Sequence, residues 1–132
     1  MAKKNENKSA NYTVSIVESS KELSAKERIS LKDTTGAIKL DIACDGNDVI
    51  FTPTAYAILA IHNEKSDNVD YNNYVIADDE GNKYVTGSDS FFSSFKNIWD
   101  EMAEETEAWS LKCYKMDSKN YTGKQFLTCS II

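Results

Sequence analysis

The chain lacks most of the residues on which compact metal sites and disulfide frameworks depend. Its 132 residues include three cysteines, one histidine and one proline. The single histidine, His62, cannot form a two-histidine zinc site, and three cysteines without any CxxC spacing do not suit a disulfide framework or a structural zinc site. We therefore predict that Cys44, Cys113 and Cys129 are reduced and buried, and that they act as small apolar side chains.

Long apolar segments are absent as well. No run approaches the roughly 20 residues that a helix needs to cross a bilayer. The first ten residues, MAKKNENKSA, contain no apolar segment typical of a secretory signal. The composition predicts a disordered arm at residues 1–10 and a single domain at residues 11–132. We expect a cytoplasmic protein that does not bind membranes.

The sequence also contains no motif for catalysis. Neither GxxxxGK[ST] nor GxGxxG, the two common phosphate-binding loops, is present. The acidic run at residues 78–82 resembles a cation loop in composition, but it lacks the ligand spacing of an EF-hand and is more simply a hairpin turn. No nearby residue supports His62 as a base for a cysteine or serine nucleophile. We expect a protein that is not an enzyme and that needs neither a metal nor another cofactor.

The net charge of −6 hides an uneven distribution. Residues 41–107 carry three bases and fifteen acids, a sum of −12, whereas residues 108–132 carry four lysines and one aspartate, a sum of +3. Average acidity favours solubility, but a local basic surface is what attracts a polyanion. The C-terminal segment is therefore a candidate for binding a polyanion even though the chain is acidic.

Short alternating segments predict a mainly β fold. Apolar and polar residues alternate at residues 12–18, 28–32 and 37–43, and β-branched and aromatic residues favour strands at 48–52 and 54–64. A capping box at residues 19–22 favours a short helical turn. Residues 66–73 are polar and predict a loop. The next segment predicts a hairpin, with arms at 74–77 and 83–86 and a turn at 79–82.

One long amphipathic helix is predicted at residues 88–105. Its apolar residues recur three and four positions apart, and Ser88 or Asp89 can cap its first turn. We expect the aromatic stripe, which includes Phe91, Phe95 and Trp99, to be part of the core. The six to eight short strands and the single helix that precede the last hairpin predict a small barrel of the oligonucleotide/oligosaccharide-binding (OB) type.

The last residues predict a C-terminal β-hairpin, with strands at 109–115 and 125–132 and a loop at 118–123. Alternation places Leu127, Cys129 and Ile131 towards the core. Bases of an unpaired nucleic-acid strand stack on aromatic rings, and lysines neutralise its phosphates. The simpler alternative is that the lysines only protect a sheet edge. The candidate DNA-binding residues are Lys112, Tyr114, Lys115, Lys119, Tyr121, Lys124 and Phe126.

The segment from residue 81 to residue 132 resembles the single-stranded DNA-binding proteins of phages and mobile elements of low-GC Gram-positive bacteria. The matching layout is GNKYVTGSDSFFSSF, which opens the helix, followed by WSLKCYKMDSKNYTGKQFLTCSII. The resemblance implies an OB-fold barrel that coats single-stranded DNA during replication or transfer, possible homo-oligomers along that DNA, and the cytoplasm of a host cell. The chain departs from the broader bacterial proteins in ending on an apolar strand instead of an acidic tail, so we expect no recruitment of partners by such a tail.

Two other functions fit the composition less directly. The acidic middle of the chain predicts, as the alternative, a phage- or plasmid-encoded inhibitor that mimics DNA and docks on a basic host protein. A small enzyme or metal protein is the third hypothesis, and it depends on His62 alone.

Overall fold

Strands dominate the computed structural model, which describes residues 11–132. The predicted arm at residues 1–10 lies outside the described residues. The described part contains eight strands and three helices. In chain order they are β1 (Tyr12–Ser19), α1 (Ala25–Lys32), β2 (Ile38–Lys39), α2 (Leu40–Ala43), β3 (Val49–Phe51), β4 (Pro53–Asn63), β5 (Asp70–Asp78), β6 (Lys83–Thr86), α3 (Asp89–Met102), β7 (Leu111–Asp117) and β8 (Gln125–Ile131).

The strands form two sheets. The large sheet has the order β1-β4-β5-β6-β2 and the small sheet the order β3-β7-β8. All pairs are antiparallel except β2 with β6. Only Thr52 separates β3 from β4, so the chain passes directly from the small sheet into the large one.

The mainly β class, the long helix and the C-terminal hairpin are confirmed, whereas the two sheets of residues 11–132 do not close into the predicted small barrel. The second edge of β6 pairs with the two-residue strand β2 and leaves no place for β8. The sheets therefore remain separate, and α3 contributes to the core that they share.

Aromatic side chains fill the core that joins the two sheets and α3. Tyr74 stacks on Phe92 with 4.3 Å between ring centroids, and the edge of Tyr56 meets Phe95 at 5.7 Å. The Ser88 hydroxyl caps α3 by accepting a hydrogen bond from the Phe91 amide at 3.1 Å. The predicted aromatic stripe is thus confirmed as core, with Phe91, Phe92 and Phe95 buried.

The opposite face of the large sheet is covered by α1. Leu31 packs there with Leu59, Val75 and other small apolar residues of β4, β5 and β6. The Lys83 ammonium donates hydrogen bonds to the carbonyl oxygens of Ser30 and Asp33, each at 2.6 Å, and so holds the C-terminal end of α1. This face is therefore closed by the chain itself.

The predicted strand at residues 28–32 is wrong, since these residues belong to α1. The cap at 19–22 is also misplaced. The capping box is formed by Ser24 and Glu27: the Glu27 amide donates to the Ser24 hydroxyl at 3.2 Å, and the Ser24 amide donates to the Glu27 carboxylate at 3.0 Å. Ile29 and Leu31 point to different sides of the helix, since Ile29 is 68% exposed and Leu31 is buried. Five residues are too few to establish either period, and here the cap decides for the helix.

Further boundaries differ from the sequence prediction, and α3 ends at Met102, three residues before the predicted end at residue 105. Of residues 37–43, only Ile38–Lys39 form a strand, and Leu40–Ala43 turn into α2, which buries Leu40 completely. The predicted loop at 66–73 is shorter, because β5 already begins at Asp70 and pairs with β4 through His62. Backbone hydrogen bonds do not require apolar side chains, so the polar start of β5 gave no strand signal.

Candidate nucleic-acid interface

Alternation along β7 and β8 sorts the hairpin side chains into an inner and an outer face. Antiparallel pairing places Cys113 opposite Cys129 and Lys115 opposite Leu127 on the inner face. Leu127 and Cys129 are buried as predicted, and Ile131 lies on the same face, opposite Leu111, but is 44% exposed. The buried core therefore ends before Ile131, the last residue of β8.

The outer face is a regular strip of aromatic, apolar and basic side chains. The register pairs Lys112 with Ser130, Tyr114 with Thr128, and Met116 with Phe126 across the two strands. We call this set of six residues the outer strip. Residues that face each other in an antiparallel pair lie on the same side of the sheet. The sequence-predicted residues Lys112, Tyr114 and Phe126 therefore lie together.

Polar contacts order the middle of the outer strip. The hydroxyl groups of Tyr114 and Ser130 are hydrogen-bonded at 2.7 Å, and the Lys112 ammonium lies 5.2 Å from the centroid of the Tyr114 ring. The same ammonium is 3.9 Å from the Asp48 carboxylate. That ion pair is partly exposed and long, so the Lys112 charge stays accessible to a phosphate.

Residues 118–124 form the tip of the hairpin. The Ser118 amide donates to the Lys124 carbonyl at 2.8 Å and closes the loop, and Gly123 has a φ of 79°. A side chain at this position would be strained, which explains why the turn uses glycine. Tyr121 projects from the tip with 67% of its surface exposed.

The tip and the outer strip meet in an open hollow of about 470 Å³. Lys119, Tyr121 and Lys124 line it from the tip, and Met116 and Phe126 line it from the strands. The hollow thus brings together two bases and two aromatic rings that the sequence had predicted as binding residues.

Lys115 does not belong to this group, and its predicted position is corrected. It lies on the inner face, where its ammonium is 3.1 Å from the Asp45 carboxylate and its side chain is only 19% exposed. Odd and even positions of a strand point to opposite faces, so Lys112 and Lys115 cannot share one.

Sequence reasoning missed two residues of the same surface, Ile50 and Met116. Ile50 lies in β3, where it pairs with Lys112 of β7, and it is 57% exposed. Met116 is 45% exposed. Met116 follows Tyr114 at the next outward position, so the alternation already contained this signal. Ile50 required knowledge of the pairing between β3 and β7.

The cysteines behave as predicted, being buried and free. Ser110 and Ile132 exchange two backbone hydrogen bonds. Hydrogen-bonded and non-hydrogen-bonded pairs alternate along an antiparallel ladder, so Cys113 and Cys129, three pairs further on, form a non-hydrogen-bonded pair. Burial raises the pKa of the Cys129 thiol to about 12 and raises that of Cys113 as well. Both thiols are therefore protonated near neutral pH and serve as core side chains.

His62 lies on the large sheet, remote in the fold from the hairpin. Its two ring nitrogens contact Asp70 at 2.7 Å and Glu64 at 3.2 Å. Hydrogen bonding to Asp70, and then to Glu64, raises the pKa of the imidazole. No group of three potential metal ligands occurs among residues 11–132.

The acidic run that resembled a cation loop is the turn between β5 and β6. Asp78 is buried, and its carboxylate accepts hydrogen bonds from the amides of Glu80 and Asn82 and from the Tyr84 hydroxyl. Burial alone would raise the pKa of Asp78, but these hydrogen bonds outweigh it and lower the pKa. The carboxylate thus holds the turn together.

No protein-family model, curated protein or solved structure matches the chain. Within residues 11–132, the helices are too short or too polar to span a membrane.

Proposed function

We propose that the chain is a non-enzymatic protein that binds single-stranded DNA through the outer strip and the tip of its C-terminal hairpin. One observation carries the proposal: Tyr121 and Phe126 share an open hollow with Lys119 and Lys124. Aromatic rings beside lysines suit unpaired bases joined by phosphates, because each stacked base contributes about 1–3 kcal/mol and each lysine displaces counterions.

The connectivity of the fold supports this function. The bent strand formed by β3 and β4 is shared by the meander β4-β5-β6 and by the hairpin β7-β8, which is similar to a partly open OB barrel. In such barrels the second and third strands and the loop between the last two strands contact oligonucleotides. Here α1 covers the outer face of β5 and β6, whereas the loop at residues 118–124 remains exposed.

The proposed role is to coat and protect single-stranded DNA in the cytoplasm of a host cell during replication or transfer of a phage or mobile element. This part of the proposal depends on the sequence resemblance of residues 81–132. The overall charge of −6 does not oppose it, because residues 108–132 carry +3 and the acids are concentrated elsewhere.

Titration of the full chain with fluorescent oligo-dT tests the proposal. If Lys112, Lys119 and Lys124 each neutralise one phosphate, affinity should fall about 20-fold between about 50 and about 200 mM salt, since each contact to a single strand contributes about −0.7 to the slope. Lys124→Ala should make the slope shallower by about 0.7. Absence of binding by micromolar protein in low salt would disprove the proposal.

A second function is favoured by the acidic residues that end α3 and follow it. Glu101, Glu104, Glu105 and Glu107 are all exposed. Such a surface suits a DNA mimic that inhibits a basic host protein. A pull-down from host lysate, run beside the oligo-dT titration, separates the two functions: capture of one basic protein together with no DNA affinity would favour the inhibitor.

A further inference from the structure

An apolar cleft lies at the C-terminal end of α3. Its volume is about 130 Å³, and the edge of Trp99 meets Trp109 there with 6.4 Å between ring centroids. The lining residues are Pro53, Trp99, Met102, Ala103 and Trp109, and we call this the tryptophan cleft. An engineered, closed apolar cavity of about 150 Å³ binds benzene, whereas the tryptophan cleft has a similar volume and is open to solvent. The tryptophan cleft is therefore of the size that suits one aromatic side chain.

Four glutamates lie close in sequence to the residues of the tryptophan cleft, and one of them, Glu107, lines a neighbouring hollow together with Trp109. Glu101, Glu104 and Glu105 precede the cleft residue Trp109 by a few positions, and Glu107 lies two residues before it. No basic group of residues 11–132 lies within ion-pair distance of these four carboxylates, whereas Lys96 pairs with Asp100 further back on α3. An occupant of this cleft should therefore be aromatic and flanked by positive charge.

The hairpin tip has that chemistry, and it lies at the other end of the small sheet. Tyr121 is the most exposed aromatic residue of the described chain, and Lys119 and Lys124 flank it. Strand β7 runs from the neighbourhood of Trp109 to the tip, and its seven residues span roughly 20 Å. A molecule cannot place its tip in its own cleft, so the two can meet only between copies.

We propose that the chain associates head to tail: the tip of one copy inserts Tyr121 into the tryptophan cleft of the next, and Lys119 and Lys124 face the glutamates around it. Two tips repel each other, as do two acidic ends, so charge favours this arrangement over a symmetric one. Such a contact is heterologous and can repeat along a row of molecules. The inference does not require DNA binding, but it makes DNA and a neighbouring copy competitors for the same tip.

Sedimentation velocity of the full, DNA-free chain in low salt tests the contact. The wild-type protein should form larger species as its concentration rises, and added salt should dissociate them. Tyr121→Ala should weaken this association about tenfold or more, as expected for an aromatic anchor, whereas Tyr12→Ala, which removes an exposed tyrosine of β1, should leave it unchanged. A wild-type chain that stays monomeric throughout, or equal association of both variants, would overturn the proposal.

Charge reversal gives a sharper test, because it predicts loss and recovery. Lys119→Glu with Lys124→Glu should be monomeric alone, and so should Glu104→Lys with Glu105→Lys. An equimolar mixture of the two proteins should associate again, since each tip then meets a cleft of opposite charge. All four positions are exposed, so the folds should not change. A mixture that remains monomeric would contradict the contact.

Adding oligo-dT distinguishes failure of this inference from failure of the proposed function. If both hold, oligo-dT should dissolve the DNA-free association and appear in complex with the protein. Association that oligo-dT leaves intact, in a protein with no DNA affinity, would overturn the proposed function and keep the head-to-tail contact. Tight DNA binding by a chain that never self-associates would overturn the head-to-tail contact and keep the proposed function.

Discussion

The two sheets differ in what covers their outer faces. On the large sheet, α1 places Leu31 over a surface of small apolar side chains, and Lys83 holds the end of the helix in position. On the small sheet no element of residues 11–132 covers the outer side, where Ile50, Met116 and Phe126 are each more than 40% exposed. The fold thus covers one apolar face internally and leaves the other exposed.

This difference separates residues that stabilise the fold from residues that we propose bind DNA. Apolar side chains exposed singly are common on protein surfaces, but a contiguous group beside bases is typical of an interaction site. Removing a residue under α1 should therefore lower stability, whereas removing one from the outer strip should lower affinity and leave stability nearly unchanged.

The largest expected effect on stability is that of Leu31→Ala. Leu31 is 7% exposed in the second core cluster, and a Leu→Ala change in a core costs about 2–5 kcal/mol. Ile50→Ala is the matched control, because a surface substitution usually changes the free energy of unfolding by less than about 0.5 kcal/mol. Urea unfolding followed by circular dichroism measures both. Equal losses would mean that the outer face of the small sheet is covered after all.

Next in size is the effect of Phe126→Ala on oligo-dT affinity. Loss of one stacking ring should weaken binding by about 1–3 kcal/mol, which corresponds to roughly 5- to 150-fold. Lys115→Ala is the control on the same hairpin, since Lys115 faces Asp45 on the inner side, and it should change affinity less than about twofold. Fluorescence anisotropy at constant salt compares the two variants. A larger loss of affinity for Lys115→Ala than for Phe126→Ala would contradict binding by the outer strip and place the binding surface on the inner face of the hairpin.

Much of this division could be read from the sequence, and the rest required pairing between distant strands. Alternation alone assigned Lys112, Tyr114 and Phe126 to one face, because side chains reverse at every residue of a strand. Periodicity likewise found α3. The same rule, applied one residue beyond Tyr114 in β7, excludes Lys115 from that face.

The pairings that failed to be predicted are all non-local. No local pattern shows that Ile50 lies beside Lys112, or that β2 occupies the edge of β6 and prevents a closed barrel. Residues 28–32 failed for a different reason, since five residues are too few to show either period, and the sequence prediction places the cap at residue 19 although Ser24 and Glu27 form it. Short segments carry too little periodicity to separate the two structures.

The smallest predicted effect concerns the exposed large-sheet residue His62, which should make stability depend weakly on pH. Contacts with Asp70 and Glu64 raise its folded-state pKa above the usual 6.5, so they stabilise the fold fully below about pH 6.5 and lose their effect as pH rises through the raised value. The melting temperature of the wild type should therefore fall slightly more than that of His62→Gln between about pH 6 and about pH 8. Oligo-dT affinity should show no such difference between the two proteins, because His62 is not part of the hairpin. If the melting temperatures of the two proteins fall by the same amount over this pH range, the contacts of the imidazole contribute no charge-dependent stability.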